Sequence, residues 1–397
     1  MSEKHPPRKL ALFGVALDPT DDEMKLEFKT ILARDLAAGR LRFRNPYEAL
    51  TGALRDQIAT GRCATCGEVE IPSWLTPAPN PSDLPLVTAQ NNLRFVDEGG
   101  CREVAERVRA FLESGPTRGI PAMVGVDHST TGGALRALAR EYGSSNMAVL
   151  VMDSHFDGLG FAERIELFCY GQGEEPEGSR VDPLDLLSEG GTEGVDLRDA
   201  YNCATWLKHM LDEEVVAPDR LIVFGVSDYP TEAMRKDPRL VRYAGAYRAF
   251  EEAGVRFVTK EEIRQKGVPG SLEPLLNKMD ADYLYVSLDA DIGSLDAVHA
   301  ARFMNVVGLN HEELYEIARV IDDALEEKEL IGLDVCGIET FLLGRRFPNG
   351  STDRTLEGLS DFIRLLLGHD EKYSHRDPRE SGDPLAQCAE GFPPARE

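Results

Sequence analysis

Three side chains of the kinds that bind divalent metal ions alternate along one short stretch of the sequence. Asp153, His155 and Asp157 follow directly after the apolar run at 147–152. Such a run is typical of a strand buried on both faces of a parallel sheet. Because alternate side chains of an extended chain point to the same side, two carboxylates and one imidazole would project together. This mixture of ligands suits Mn²⁺ or a similar divalent ion better than a structural zinc.

Two further apolar runs end in residues of the same types. A run that begins at Met123 leads into Asp-His-Ser at 127–129, and a run at 283–288 ends in Asp289 and Asp291. Taken alone, each motif also fits a polar strand end with chance acids. Several converging carboxylates, however, repel one another unless a cation neutralises them. Sites in open α/β sheets form at the carboxyl ends of the strands. We therefore expect one shared metal site where these three strands end.

The three motifs, in this order, resemble those of the ureohydrolase family, which includes arginase, agmatinase and formimidoylglutamase. The family pattern is Gly-Gly-Asp-His-Ser, then Asp-Ala-His-x-Asp, then Ser-x-Asp-x-Asp. This chain has Gly-Val-Asp-His-Ser at 125–129, Asp-Ser-His-Phe-Asp at 153–157 and Ser-Leu-Asp-Ala-Asp at 287–291. Each motif is a weak signal, but the three together are a strong one. The similarity extends over residues 120–340.

The resemblance implies two metal ions held by six residues of this chain: His128, Asp153, His155, Asp157, Asp289 and Asp291. Asp153 and Asp289 would bridge the ions. His128 and Asp157 would complete one site, and His155 and Asp291 the other. Mn²⁺ is the expected metal, with Ni²⁺, Co²⁺ or Fe²⁺ as alternatives. A water between the ions would lose a proton near neutral pH and supply a bridging hydroxide, which Asp157 would orient as a catalytic residue.

The implied activity is hydrolysis of a C–N bond in a small-molecule substrate, a guanidino, formimino or amide-like compound of the linear amidine or guanidine class. Two alternatives stay open. The first is a deacetylase-type amidohydrolase with a single metal, which the set of six ligands disfavours. The second is a non-catalytic metal-binding or regulatory protein, which departures from the family pattern suggest.

The departures concern substrate binding. The family places a Glu on the last strand to receive a guanidinium, and the corresponding position here is Gly337. Glu339 lies two residues on, and a strand puts residues i and i+2 on one face. Glu339 is therefore a candidate catalytic residue that receives a cationic substrate, with a surface acid at a strand end as the equal alternative. His299 and Arg302 are either substrate contacts or ordinary loop residues. The proton-shuttling His of arginases has no clear counterpart, since Tyr170 stands in the only similar context.

The amino-acid composition indicates which partners and which cellular compartment are expected. The 397 residues include 69 acidic and 44 basic ones, which gives a net charge of −25. Nucleic acids and anionic membranes require a basic surface, so neither is expected as a partner. No apolar run approaches the ~20 residues that span a bilayer, and no signal peptide is evident. Seven scattered cysteines favour free thiols in the cytoplasm. Cys63 and Cys66 are spaced as half a zinc site whose other half is missing.

The order of elements predicts the fold. Apolar strands alternate with amphipathic helices, which demands a mostly parallel sheet covered by helices. We expect a single three-layer α/β/α domain of the arginase type over residues 1–368. Residues 61–95 and 158–195 are rich in Pro, Gly or acidic residues and are expected to form long loops. The tail at 369–397 is expected to be flexible. The resemblance also implies a homo-oligomer, either a trimer or a hexamer.

Overall fold

The computed structural model describes residues 8–40, 44–115, 119–171, 199–293, 298–303, 307–347, 350 and 352–368. In these ranges eight strands form one sheet with the spatial order β2-β1-β3-β8-β7-β4-β5-β6. All neighbouring strands are parallel. The strands are β1 (Leu10–Val15), β2 (Cys63–Glu68), β3 (Ile120–Gly125), β4 (Met147–Met152), β5 (Leu221–Val226), β6 (Arg256–Thr259), β7 (Tyr283–Asp289) and β8 (Glu329–Cys336).

Helices connect these strands along the chain. Those in the described ranges are α1 (Glu23–Ala37), α2 (Pro46–Ala53), α3 (Arg55–Ala59), α4 (Ala89–Asp97), α5 (Gly100–Glu113), α6 (Thr131–Tyr142), α7 (Phe161–Gly171), α8 (Trp206–Asp212), α9 (Val241–Ala253), α10 (Lys260–Lys278), α11 (His311–Ala324) and α12 (Thr355–Leu366). None of these helices has the length and hydropathy that crossing a membrane requires.

Both faces of the sheet are buried under helices. Every residue of β4 is buried. Leu150 belongs to one apolar cluster, and its neighbour Val151 belongs to the other. Because successive side chains of a strand point to opposite faces, the two clusters lie on opposite sides of the sheet. The predicted three-layer α/β/α architecture with a parallel sheet is confirmed.

The strand order brings the three motif strands together in the middle of the sheet. β7 lies beside β4, and β8 separates β7 from β3. The register pairs Met152 with Leu288 and Asp289 with Cys336, so these strands end at the same level. The residues that follow each strand therefore converge at one edge of the sheet.

Part of the expected loop structure is wrong. Within 61–95, residues 63–68 form β2, and α4 begins at residue 89 and continues to residue 97. β2 is an edge strand paired only with β1, and of its residues only Cys63 is buried. Such a strand has no apolar run, so the hydrophobic pattern could not reveal it. Within 158–195, residues 161–171 form α7. Residues 172–198 and the tail at 369–397 lie outside the described residues.

The two cysteines of β2 do not form half a zinc site together. Cys63 and Cys66 are both free, and Cys63 is buried while Cys66 is partly exposed. Residues three apart on a strand point to opposite faces, so these two thiols cannot bind the same metal ion.

Candidate metal centre

The six predicted metal ligands meet at the carboxyl ends of β3, β4 and β7. Ligand atoms of five of them form two groups, and the atoms of each group lie within 4.8 Å of one another. The sixth, Asp289, places Oδ2 3.5 Å from His128 Nδ1. One group contains His128, Asp153 and Asp157, and the other contains Asp153, His155 and Asp291. Asp153 therefore belongs to both. Five of the six ligands are buried, whereas 39% of the His155 side chain is exposed.

One ring nitrogen of His128 is surrounded by carboxylates. His128 Nδ1 lies 3.1 Å from Asp153 Oδ2, 3.4 Å from Asp157 Oδ2 and 3.5 Å from Asp289 Oδ2. This nitrogen is buried and makes no hydrogen bond within the described part of the chain. A buried polar atom normally has a partner. An atom with a lone pair, facing three carboxylate oxygens, fits a cation bound between them.

The other ring nitrogen of His128 is engaged by a relay from β7 and β8. His128 Nε2 lies 2.8 Å from Ser287 Oγ. The Ser287 hydroxyl donates to Asp334 Oδ1 at 2.9 Å, and the Tyr285 hydroxyl donates to Asp334 Oδ2 at 2.6 Å. Because the single proton of Ser287 is committed to Asp334, Ser287 must accept the proton of Nε2–H. The network therefore assigns the tautomer whose Nδ1 is free to bind a metal ion.

The second group is held by backbone hydrogen bonds within and between the motifs. His155 Nδ1 lies 2.9 Å from Asp291 Oδ2 and 3.5 Å from Asp153 Oδ1. The backbone N–H of His155 donates to Asp153 Oδ1 at 2.7 Å, and that of Ser154 donates to Asp291 Oδ1 at 3.1 Å. These contacts tie the end of β4 to the end of β7.

Burial and neighbouring charges shift the pKa values of several candidate metal ligands strongly. Burial alone would lower the pKa of His155, but hydrogen bonds to Asp153 and Asp291 and their charges raise it to about 12. Burial and the charge of Asp153 raise the pKa of Asp291 to about 6. Burial, together with the charges of Asp291 and Asp153, raises the pKa of Asp289 well above its usual range. The raised pKa values of Asp289 and Asp291 reflect repulsion between crowded, buried carboxylates, which bound divalent ions would relieve.

Helix α8 supplies a contact that the sequence did not reveal. Trp206, the first residue of α8, donates its indole N–H to Asp157 Oδ2 at 3.0 Å. Trp206 is fully buried, and its ring centroid lies 4.8 Å from that of His128. The only signal in the sequence is an aromatic residue in an amphipathic helix, which is typical of any core position.

The position of Glu339 differs from the strand geometry expected of it. β8 ends at Cys336, and Gly337 has a φ of +74°. The alternation of side chains along a strand therefore does not reach Glu339. Its carboxyl is half-buried, and burial and the charge of Asp18 raise its pKa while Lys25 opposes this. The role of Glu339 in receiving a cationic substrate stays a prediction.

The other candidate contacts have partners of their own. Arg302 Nη1 lies 3.0 Å from Asp18 Oδ1 and 3.7 Å from Asp127 Oδ2. The ring of His299 is buried and stacks on Phe347 at 4.3 Å. Neither observation indicates a substrate contact, and both explain why these residues are held in place.

Comparison with known proteins relates this chain to the arginase family. A sequence model described as the Arginase family matches residues 42–342. Proclavaminate amidinohydrolase of Streptomyces clavuligerus is 26% identical over 170 residues, which are 43% of this chain and 39% of that protein. Arginase of Bacillus caldovelox shares the fold with a TM-score of 0.53 and 14% identity, over 91% of this chain and 99% of that one. Formimidoylglutamase of Bacillus subtilis gives a TM-score of 0.52 and 16% identity, over 92% and 88%.

Proposed function

Because this chain belongs to the arginase family, we propose that it is a metal-dependent hydrolase that cleaves a C–N bond of a small guanidino, formimino or amide-like molecule. The observation that carries the proposal is the unpaired Nδ1 of His128, which lies within 3.5 Å of carboxylate oxygens from Asp153, Asp157 and Asp289. A second group of ligand atoms beside it, from Asp153, His155 and Asp291, supports two ions rather than one.

The roles proposed for five ligands follow from these two groups, and the role of Asp289 follows from the family resemblance and from its Oδ2, which lies 3.5 Å from His128 Nδ1. His128 and Asp157 would hold one ion, His155 and Asp291 the other, and Asp153 and Asp289 both. Ions bound there would lower the pKa of water and so supply a hydroxide nucleophile near neutral pH. We propose Mn²⁺ as the metal and keep Ni²⁺, Co²⁺ and Fe²⁺ as alternatives, since oxygen-rich sites accept several ions.

The exposed side of the centre indicates where the substrate would enter. Among the six ligands only His155 is substantially exposed. The ring of Phe303 stands edge-on to His155 with a centroid distance of 6.5 Å, and half of Phe303 is exposed. We propose that the substrate enters past these two rings. Glu339 would receive the substrate if it carries a cation, and a substrate without a guanidinium would leave Glu339 unused.

The proposed activity is tested by metal analysis combined with a hydrolysis screen. The chain is loaded with Mn²⁺ or Ni²⁺ and offered arginine, agmatine, guanidino acids, free guanidine and formiminoglutamate, while urea, ammonia and formamide are measured. We expect two ions per chain and release of one of these products. A single ion would favour the deacetylase-type alternative. Two ions without turnover of any compound would mean that the site acts on a different C–N substrate or that the chain is a non-catalytic binding protein.

Variants test the assignment of roles. Asp153→Ala and Asp289→Ala are each expected to remove both ions and all activity, because each carboxylate would bridge. Asp353→Ala is the matched control, since Asp353 is also a buried carboxylate but its hydrogen bonds go to the backbone of His299 and to Thr355. It should keep both ions. Two ions retained in either Asp153→Ala or Asp289→Ala would refute the bridging role.

The expected trimer or hexamer and the cytoplasmic location stay predictions from the sequence. Mass photometry of the purified chain tests the first, and fractionation of cells tests the second. A monomer would contradict the assembly that the family resemblance implies.

A further inference from the structure

One carboxylate oxygen of the candidate centre lies between an imidazole and an indole. Asp157 Oδ2 is 3.4 Å from His128 Nδ1 and accepts a hydrogen bond of 3.0 Å from Trp206 Nε1. All three side chains are buried. A carboxylate oxygen has two lone pairs, and the indole is only a donor. The indole therefore occupies one lone pair and leaves the other facing His128.

Helix α8 also holds the backbone of the same aspartate. The N–H groups of Leu207 and Lys208 donate to the Asp157 carbonyl at 3.1 Å and 3.3 Å. Both the backbone carbonyl and the carboxylate of Asp157 are thus hydrogen-bonded to the first residues of α8, which include Trp206.

The segment before α8 fixes the direction of the indole. Thr205 donates its hydroxyl to the Ala200 carbonyl at 2.7 Å and accepts the Asn202 backbone N–H at 3.1 Å. The buried Tyr201 donates its hydroxyl to the carbonyl of Ser129, next to His128. These hydrogen bonds connect the segment before α8 to the end of β3, in addition to the contacts between α8 and Asp157.

We propose that Trp206 is a positioning residue, whose indole N–H holds Asp157 Oδ2 toward the ion shared with His128 and thereby sets the affinity of that metal site. The proposal rests on the metal centre of the proposed function. Groups that orient metal ligands by hydrogen bonding typically change metal affinity by roughly 10–100-fold when they are removed. Within the described residues the indole has no hydrogen bond to His155 or Asp291, so the second site should respond less.

Substitution by phenylalanine separates the N–H from the bulk of the ring. Trp206→Phe keeps an aromatic ring in the apolar cluster around α8 but removes the donor. Arg164, whose Nη2 is 3.6 Å from Asp157 Oδ1, would then be the remaining charged side chain on this carboxylate outside the cluster. Its distance exceeds that of a hydrogen bond, so it does not replace the indole.

The chain contains two tryptophans, which provides a matched control. Trp74 packs edge-on against Phe95 with a centroid distance of 5.9 Å, and within the described residues it has no hydrogen bond to a candidate metal ligand. Mn²⁺ is titrated calorimetrically into metal-free parent, Trp206→Phe and Trp74→Phe proteins. We expect Trp206→Phe to bind one ion about 10–100-fold more weakly and the other nearly as the parent does. Trp74→Phe should bind both with parental affinity.

A spectroscopic measurement keeps the test decisive if Trp206→Phe fails to fold. In ¹⁵N-tryptophan-labelled Trp74→Phe protein, one indole N–H resonance remains. We expect Zn²⁺ to shift it during binding of one equivalent only. Parental affinity of both ions in folded Trp206→Phe, or an indole resonance that Zn²⁺ leaves unchanged although two ions bind, would overturn the role of Trp206 while the proposed function stands. A parent protein that binds no metal would refute the proposed function and this proposal with it.

Discussion

A Cβ atom on Gly337 would lie 2.1 Å from Oδ1 of Asp289. Real Cβ atoms do not approach other atoms this closely, so the backbone after β8 passes directly against a predicted bridging ligand. Gly337 also has a φ of +74°, in the region that favours glycine. The position to which the family resemblance assigns a guanidinium-binding Glu therefore cannot hold any side chain here unless Asp289 moves.

Gly337→Ala is expected to lose metal binding, because the new methyl group must displace Asp289. Gly344→Ala is the matched control. Gly344 has a φ of +68°, but a Cβ there meets no atom within 4 Å. Both variants carry the backbone strain of about 1–2 kcal/mol, and only Gly337→Ala should bind fewer ions. Urea unfolding and metal analysis of both variants measure the two effects. Equal metal content in the two variants would contradict the prediction.

Ser287→Ala is expected to weaken metal binding by roughly 10–100-fold, because His128 Nε2 loses the acceptor that fixes its tautomer. Ser271→Ala is the control, since Ser271 is also buried but donates to the carbonyl of Gly267 in α10. Calorimetric titration with Mn²⁺ compares the two variants. If Ser287→Ala binds both ions with parental affinity, the relay does not orient the imidazole.

The buried ion pairs beside the centre are expected to contribute strongly to stability. Asp18 Oδ2 lies 2.8 Å from Lys29 Nζ, and Asp18 Oδ1 lies 3.0 Å from Arg302 Nη1, with all three side chains nearly inaccessible. Asp18→Ala would leave two buried cations poorly compensated, which costs about 3–5 kcal/mol.

Glu98→Ala is the control for Asp18→Ala. Glu98 pairs with Arg94 at 2.7 Å, but both side chains are more than half exposed. Exposed pairs contribute about 1 kcal/mol or less. Urea unfolding gives both values, and a loss of similar size in the two variants would show that burial of the Asp18 network does not matter.

The environment of Lys260 is expected to make the free energy of unfolding depend on pH. Lys260 is 5% exposed, and burial lowers its pKa to about 8 although the charges of Asp291 and Asp153 oppose this. The unfolded chain, with a lysine pKa of about 10.4, then binds more protons than the folded chain between the two values. Stability due to this group must therefore rise with pH across that window.

The measurement compares the parent with Lys260→Met from pH 7 to pH 10. The free energy of unfolding of the parent should increase relative to that of the variant above pH 8. Lys266→Met, which removes an exposed lysine of the same helix, should show no such relative change. A difference between parent and Lys260→Met that stays constant with pH would contradict the prediction.

The sequence by itself determined the sheet and the six candidate ligands. Buried parallel strands have continuous apolar runs in the sequence, and the ligands lie within a few residues of the strand ends. The strands and the ligands can therefore be recognised from short stretches of sequence. That the three ligand-bearing strands end at one edge needed only the rule for parallel sheets, whereas the pairing of Asp289 with Cys336 came from the structure. The edge strand at 63–68 was not predicted, because most of its side chains are exposed and its sequence therefore has no apolar pattern.

Only the tertiary structure decided how the ligands are oriented. Trp206 meets Asp157 across 49 positions of sequence, and Ser287 meets His128 across 159. Hydrogen bonds between such distant groups depend on the packing of whole helices and strands, and no local spacing encodes them. The same holds for Gly337, whose positive φ removes Glu339 from the strand face that sequence spacing assigned to it. Side-chain type is a local property, whereas the direction in which a donor or a lone pair points is set by everything packed around it.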